Sequence, residues 1–267
     1  MPVRSIVTFV QPSEVDRDPA ALTVALGWAG ALGARVVALC FPVDVVGAGV
    51  PPTDNEADAF AKARSAVTAL ADKAGVPCTV VDRSSFAYGI GEVFADHMKV
   101  ADIGILRGAR GPLVGERLLA KAALFDSGRP LILVPRAPSP TPPRRALIAW
   151  DGTHAAARAM QDALALLPVG AEAIVARVTD DKEMRMDQSG IEAAHHLARH
   201  GIQASFREIT RGGRDVYDAL TAAAHEAGCD LIVAGAVRHS PAHDLIFGSV
   251  TQKVLAGDCD LPVLLSA

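Results

Sequence analysis

The feature that most constrains this chain is an internal repeat. On either side of a segment reading PRAPSPTPPRR, from Pro135 to Arg145 and holding five prolines, the same succession of short apolar runs and amphipathic runs occurs. Proline has no backbone donor and fits neither a helix interior nor a central strand, so the segment reads as a semi-rigid linker. RSIVTFV at Arg4–Val10 aligns with RALIAWD at Arg145–Asp151, an offset of 141. Second strands lie in ARVVALCF and EAIVARVT, and alternations of alanine with charged residues over 56–74 and 187–199 predict helices. Asp102 and Asp230 open matching fourth strands, and the last strands follow Arg129-Pro130 and Leu261-Pro262. Each half therefore predicts β-α-β-α-β-α-β-α-β. Strands this apolar need cover on both faces, which calls for parallel pairing with crossover helices. The expected fold is α/β: two doubly wound, mainly parallel five-stranded sheets, Rossmann-like, packed as a pseudo-dimer. The expected domains are 1–135 and 144–267, joined by linker 136–143. The first half is longer by an insertion, FPVDVVGAGVPPTDNE, rich in Gly, Pro and Asp, which reads as a loop.

Composition narrows the function classes. Half of the 267 residues are apolar, enough for a sizeable core, but only 4 % are aromatic, so Ala, Val and Leu must fill it. With 26 Lys and Arg against 30 Asp and Glu, no basic field exists to neutralise a nucleic-acid backbone. Cys40, Cys78, Cys229 and Cys259 are scattered without metal-knuckle spacing, as in a chain kept reduced. The first apolar run is too short to act as a signal core or to span a membrane. A soluble, cytoplasmic protein is the expectation.

Chemistry concentrates after the fourth strand of the second half, in LIVAGAVRHSPAHDLIFGSVTQKVL. The strand delivers the chain to Gly235, and Gly248-Ser249 opens a helix. In an open parallel sheet ligands bind beyond the carboxyl ends of the strands. A glycine turn and a helix start both present backbone N–H groups there. Gly248 permits close approach and Ser249 can cap the helix or bond a phosphate oxygen. The residues alone leave two readings, an anion cradle and a plain tight turn. Asp151 ends the first strand of this half, where it can accept from a ligand hydroxyl or amine, or cap the next helix through Gly152-Thr153.

These segments resemble a tandem universal stress protein. That family carries a strand-end Asp followed by Gly-Ser, here Asp151-Gly152-Thr153. Its nucleotide signature, Gly-x2-Gly-x9-Gly-Ser/Thr, falls on Gly235, position 238 and Gly248-Ser249. The resemblance implies binding of ATP or AMP, with or without Mg²⁺, and a sensing or regulatory role in stress response. It also implies that Asp151 touches the adenosine and that Val178 lines the adenine slot, although Val178 reads equally well as a core valine. From the residues, the irregular loop after the strand can cover the phosphates, with His239 or Ser240 in reach of them. The departure is Arg238 in place of the second glycine. An arginine there either distorts the loop or reaches a phosphate as a charge-assisted donor.

The first half fits the signature poorly. Gly108 and Gly111 are present, but Lys121-Ala122 stands where Gly-Ser belongs, and the loop is shorter. Glu116 at the helix start would repel a phosphate while suiting the helix dipole. Arg107 and Arg110 read equally well as holders of some other anion and as solvent-facing side chains.

Enzymatic readings are thin. His239, His243 and Asp244 cluster in an irregular loop without helical spacing for a metal or general base. No nucleophile elbow, HExxH or phosphate-binding P-loop occurs. Slow ATP hydrolysis is the most the sequence supports. The rival reading is an interaction protein without nucleotide. The last strands, 131–134 and 263–265, are edge candidates for pairing across a pseudo-twofold, with a homodimer of full chains as the expected assembly.

Overall fold

The computed structural model describes residues 2–12, 15, 19–41, 54–81, 89–108, 114–180, 189–237, 249–256 and 259–267. The first half runs β1 (Ser5–Val10), α1 (Ala20–Leu32), β2 (Arg35–Cys40), α2 (Asp54–Ala74), β3 (Cys78–Val81), α3 (Ile90–Lys99), β4 (Ile103–Arg107), α4 (Val114–Asp126) and β5 (Leu131–Val134). The second repeats it: β6 (Arg145–Ala149), α5 (His154–Ala163), β7 (Glu172–Val178), α6 (Ser189–Arg199), β8 (Gln203–Ile209), α7 (Val216–Glu226), β9 (Leu231–Gly235), α8 (Ser249–Leu255) and β10 (Val263–Ser266). The expected α/β architecture is present, with one difference. The two five-stranded sheets are a single ten-stranded sheet, ordered β3-β2-β1-β4-β5-β10-β9-β6-β7-β8. Pairing is parallel within each half, and β5 meets β10 antiparallel, with Val263 opposite Leu133 and Leu265 opposite Leu131. The two strands read from sequence as edges thus close each other's edges inside one chain.

Burial follows from this order. The four residues of β5 and the four of β10 are all buried, as expected at the centre of a sheet covered on both faces. The outermost β8 is instead exposed or half-buried up to its last residue, the buried Ile209, and its exposed Arg207 and Glu208 discourage further strand addition. Two apolar cores run the length of the sheet. One lies under α1, α2, α5 and α6, through Val67, Met160 and Leu197; the other lies under α3, α4, α7 and α8, through Met98, Leu124, Leu220 and Val254. Alanine is abundant in both, which lets helices lie close to the sheet.

The repeat is exact at the strand starts, but shifted by one residue from the alignment read in sequence. Asp102 accepts from the backbone N–H groups of Arg4 and Ser5, each at 2.8 Å, and from Ser5 Oγ. Asp230 does the same for Arg144 and Arg145. Ser5 is therefore the counterpart of Arg145, so Gln11 stands where the second half has Asp151. The Arg4–Arg145 identity misled the alignment, because a one-residue slip exchanges the two faces of a strand.

The proline-rich segment is docked, not free. A Cβ on Gly27 of α1 would overlap the carbonyl oxygen and ring of Pro140. Glycine is required at this point because the linker backbone lies directly on the helix.

Two outcomes follow from these contacts. Gly27→Ala is expected to destabilise the chain by about 1–3 kcal/mol in urea unfolding, since a backbone must move to admit the methyl group. At Asp102, burial raises the carboxyl pKa, but the hydrogen bonds from Arg4 and Ser5 and the Arg129 guanidinium outweigh it and hold the group below its ordinary 3.8. A depressed folded-state pKa gives stability that is complete above the unfolded value and lost as pH falls through the folded one. Asp102→Ala should cost about 1–3 kcal/mol at neutral pH, and its gap from the parent should shrink below pH 3.8.

Candidate functional site

In the second half the strand order turns between β6 and β9. The chain leaves β6 for α5 and β7 on one side, and leaves β9 for α8 and β10 on the other, which opens a crevice at their carboxyl ends. Register places the predicted residues along this edge. Ile148 pairs with Val233 and Ala149 with Ala176, so Gly235, Trp150-Asp151 and Val178 reach nearly the same level on three adjacent strands. Topology alone brings them together.

Each has a local role as well. Asp151 is exposed, and its Oδ1 accepts from Thr153 N at 3.1 Å and Thr153 Oγ1 at 2.6 Å. Thr153 in turn caps α5 by accepting from Ala156 N at 3.2 Å. The carboxylate thus braces the cap while remaining at the crevice rim. Val178 is half-buried and packs on the second core. Gly235 makes room for α5: a Cβ there would lie 2.5 Å from Ala155 C and Ala156 N. Its lack of a side chain therefore serves helix packing in the first place.

Arg238, His239 and Gly248 lie outside the described residues, as do Arg110, His243, Asp244 and the 42–53 stretch of the insertion. Ser249 is the first residue of α8. Further along that helix, Lys253 Nζ bridges Asp215, the N-cap of α7, and Asp218, at 2.9 Å to both of its carboxylate oxygens. Hydrogen bonds that Lys253 donates to Asp215 and then Asp218 raise its pKa. Burial pushes Asp215 upward, but the Lys253 bond and the α7 backbone lower it on balance. This pair of carboxylates ties the short α8 to α7 and so fixes where Ser249 sits. Sequence reading missed this tie, because residues 35 and 38 positions apart give no local pattern. It also missed Trp150, whose indole Nε1 donates to Ser189 Oγ at 3.1 Å beside Asp151.

The matching edge of the first half is built differently. With Ser5 opposite Arg145 and Gly104 opposite Ile232, Arg107 falls where the second half has Gly235. The strand end there carries a long side chain in place of the glycine. A pocket of about 40 Å³ opens instead, lined by Phe9, Gln11, Leu106, Arg107, Glu116 and the first turn of α1, among others. Among the described residues no group of three or more His, Cys, Asp and Glu is placed to hold a metal, and no helix is long and apolar enough to cross a membrane.

A doubly wound sheet, two helical layers and a crevice at the turn of strand order define a Rossmann-like α/β protein. Residues 143–266 match the universal stress protein family. A universal stress protein from Archaeoglobus fulgidus DSM 4304 is 17% identical, with 99% of this chain and 96% of that one covered at a TM-score of 0.73. A second from Pseudomonas aeruginosa UCBPP-PA14 is 18% identical over 99% and 93%, at 0.58. These likenesses establish the fold across both halves. No curated protein sequence matches this chain.

The α5 contact makes Gly235→Ala a folding variant. It is expected to lower stability by about 1–3 kcal/mol in urea unfolding, because the obstruction is helix backbone. Lys253→Met should leave global stability nearly unchanged and raise amide hydrogen exchange in α8 above that in α7.

Proposed function

We propose that the second half binds an adenine nucleotide, ATP or AMP, and that occupancy shifts a conformational or partner equilibrium in a stress response. The observation that carries this reading is the level of Asp151, Val178 and Gly235 on three adjacent strands at the carboxyl-edge crevice. Asp151 offers a carboxylate at the rim for a ribose hydroxyl, in keeping with the Asp-Gly-Thr match to the family. Val178 offers half-buried apolar surface for a base. Gly248-Ser249 supplies phosphate contacts, with Arg238 and His239 from the preceding segment as charged and polar neighbours. Gly235 serves by leading the chain away from the strand end while α5 fills its open side.

The test uses the full chain. Protein is denatured and any released small molecule identified by mass spectrometry; stripped protein is then titrated with ATP and AMP, with and without Mg²⁺. One adenine nucleotide per chain is expected, accompanied by a change in Trp150 fluorescence. Trp28, the other tryptophan, is buried in α1 of the opposite half and reports nothing there. Asp151→Asn keeps the acceptor that braces Thr153 but removes the charge, and should weaken binding about tenfold, as should Ser249→Ala. Absence of both bound nucleotide and heat up to millimolar ATP would sink the proposal and favour an interaction protein that works by docking alone.

A further inference from the structure

Three side chains with metal-binding atoms converge where α5 and α6 end, at the amino edge of the second half. His196 lies in the last turn of α6 and His200 directly follows that helix, one turn further on. Their ring centres are 4.8 Å apart and their planes are tilted by 58°. From the last turn of α5, Gln161 Oε1 reaches to 3.4 Å of His196 Nε2. His196 is half-buried, and His200 and Gln161 are exposed. The repeat shows that the fold does not ask for histidine here. Gly75 and Gly201 close α2 and α6 with the same turn, and the residues after them, Val76 and Ile202, donate to Ala71 and Leu197. His196 and His200 therefore correspond to Leu70 and Ala74 of the first half.

Both spacings are those of donors that share an ion. The 3.4 Å contact is long for a hydrogen bond, whose N–H···O distance is about 2.7–3.2 Å. Donors held at about 2.0–2.1 Å from a tetrahedral ion stand about 3.3–3.4 Å from one another. Two imidazoles on such an ion have ring centres about 4.4–5.3 Å apart for angles between about 90° and 110°, and the histidine pair falls inside that range. A neutral imidazole carries its proton on one nitrogen and offers the other to a metal. The carboxyl ends of two helices add partial negative charge, which favours a cation. Imidazole nitrogen with a neutral amide oxygen suits a borderline ion, and three protein donors leave a fourth tetrahedral position to water. We infer that the second half binds a Zn²⁺ ion through His196, His200 and Gln161, and that the ion clips α6 to α5. This inference is independent of nucleotide binding, since Asp151 and Gly235 stand at the carboxyl edge of the same strands.

The full chain, free of any histidine tag, is titrated with Zn²⁺ against a chromophoric chelator and with Co²⁺ followed by visible absorption. One ion per chain is expected in the micromolar range, and Co²⁺ should show the intense bands of a four-coordinate site. His196→Ala, His200→Ala and Gln161→Leu should each weaken Zn²⁺ binding about tenfold or more. His195→Ala removes a neighbour directed at Glu192 and should leave the affinity unchanged. Zn²⁺ should raise the Tm of the parent chain and not that of His196→Ala. All four positions are exposed or half-buried, so the variants are expected to keep the fold, checked by circular dichroism. The inference is overturned by absence of binding at micromolar Zn²⁺, by the weak bands of six-coordinate Co²⁺, by full affinity in any of the three ligand variants, or by an equal loss in His195→Ala.

Discussion

The antiparallel meeting of β5 and β10 is the contact on which the rest of the molecule depends. Each strand is four residues long and wholly buried, with nothing but apolar side chains apart from Ser266. Left as edges, two such strands would be templates for adventitious pairing. Joined, they convert two half-sheets into one and let each of the two cores run unbroken from one half into the other. The linker contributes by lying on α1 at Gly27, so the connection is part of the packing.

That junction also dictates where chemistry can occur. The halves are internally parallel and mutually antiparallel, so their carboxyl edges face opposite ends of the ten-stranded sheet. The two crevices cannot share a ligand, and each is assembled from the strands of its own half. Any coupling between them has to pass through the shared sheet and its central pair. A homodimer would use another surface, because the edges of β5 and β10 are already taken.

Much of this was legible in the residues. Alternating apolar runs and amphipathic helices gave the element order, and the repeat around five prolines gave the two halves. Asp102 and Asp230 were matched correctly, although their reason, the bracing of β1 and β6 at their starts, is visible only in three dimensions. What escaped was set by contacts between distant residues. The register slip at Arg4 arose because an identity of residue type outweighed a difference of face. Gly235 read as a phosphate glycine, yet the backbone of α5 fills the space its missing side chain leaves. The joining of the sheets was foreshadowed by the apolar last strands, whereas the Lys253 tie between α8 and α7 has no local signature.

Gly235 and Arg107 occupy equivalent strand ends, and there the two halves of one topology differ most plainly. Where the strand ends in glycine, the backbone of α5 lies directly on it, and Asp151 and Val178 stand at the same level on the two neighbouring strands. Where it ends in arginine, a small pocket lies at the strand end, lined by Gln11, Arg107 and the first turn of α1 among others. The duplicated fold thus keeps its sheet and cores nearly constant while the strand ends, which bear little of the packing, diverge in charge and shape.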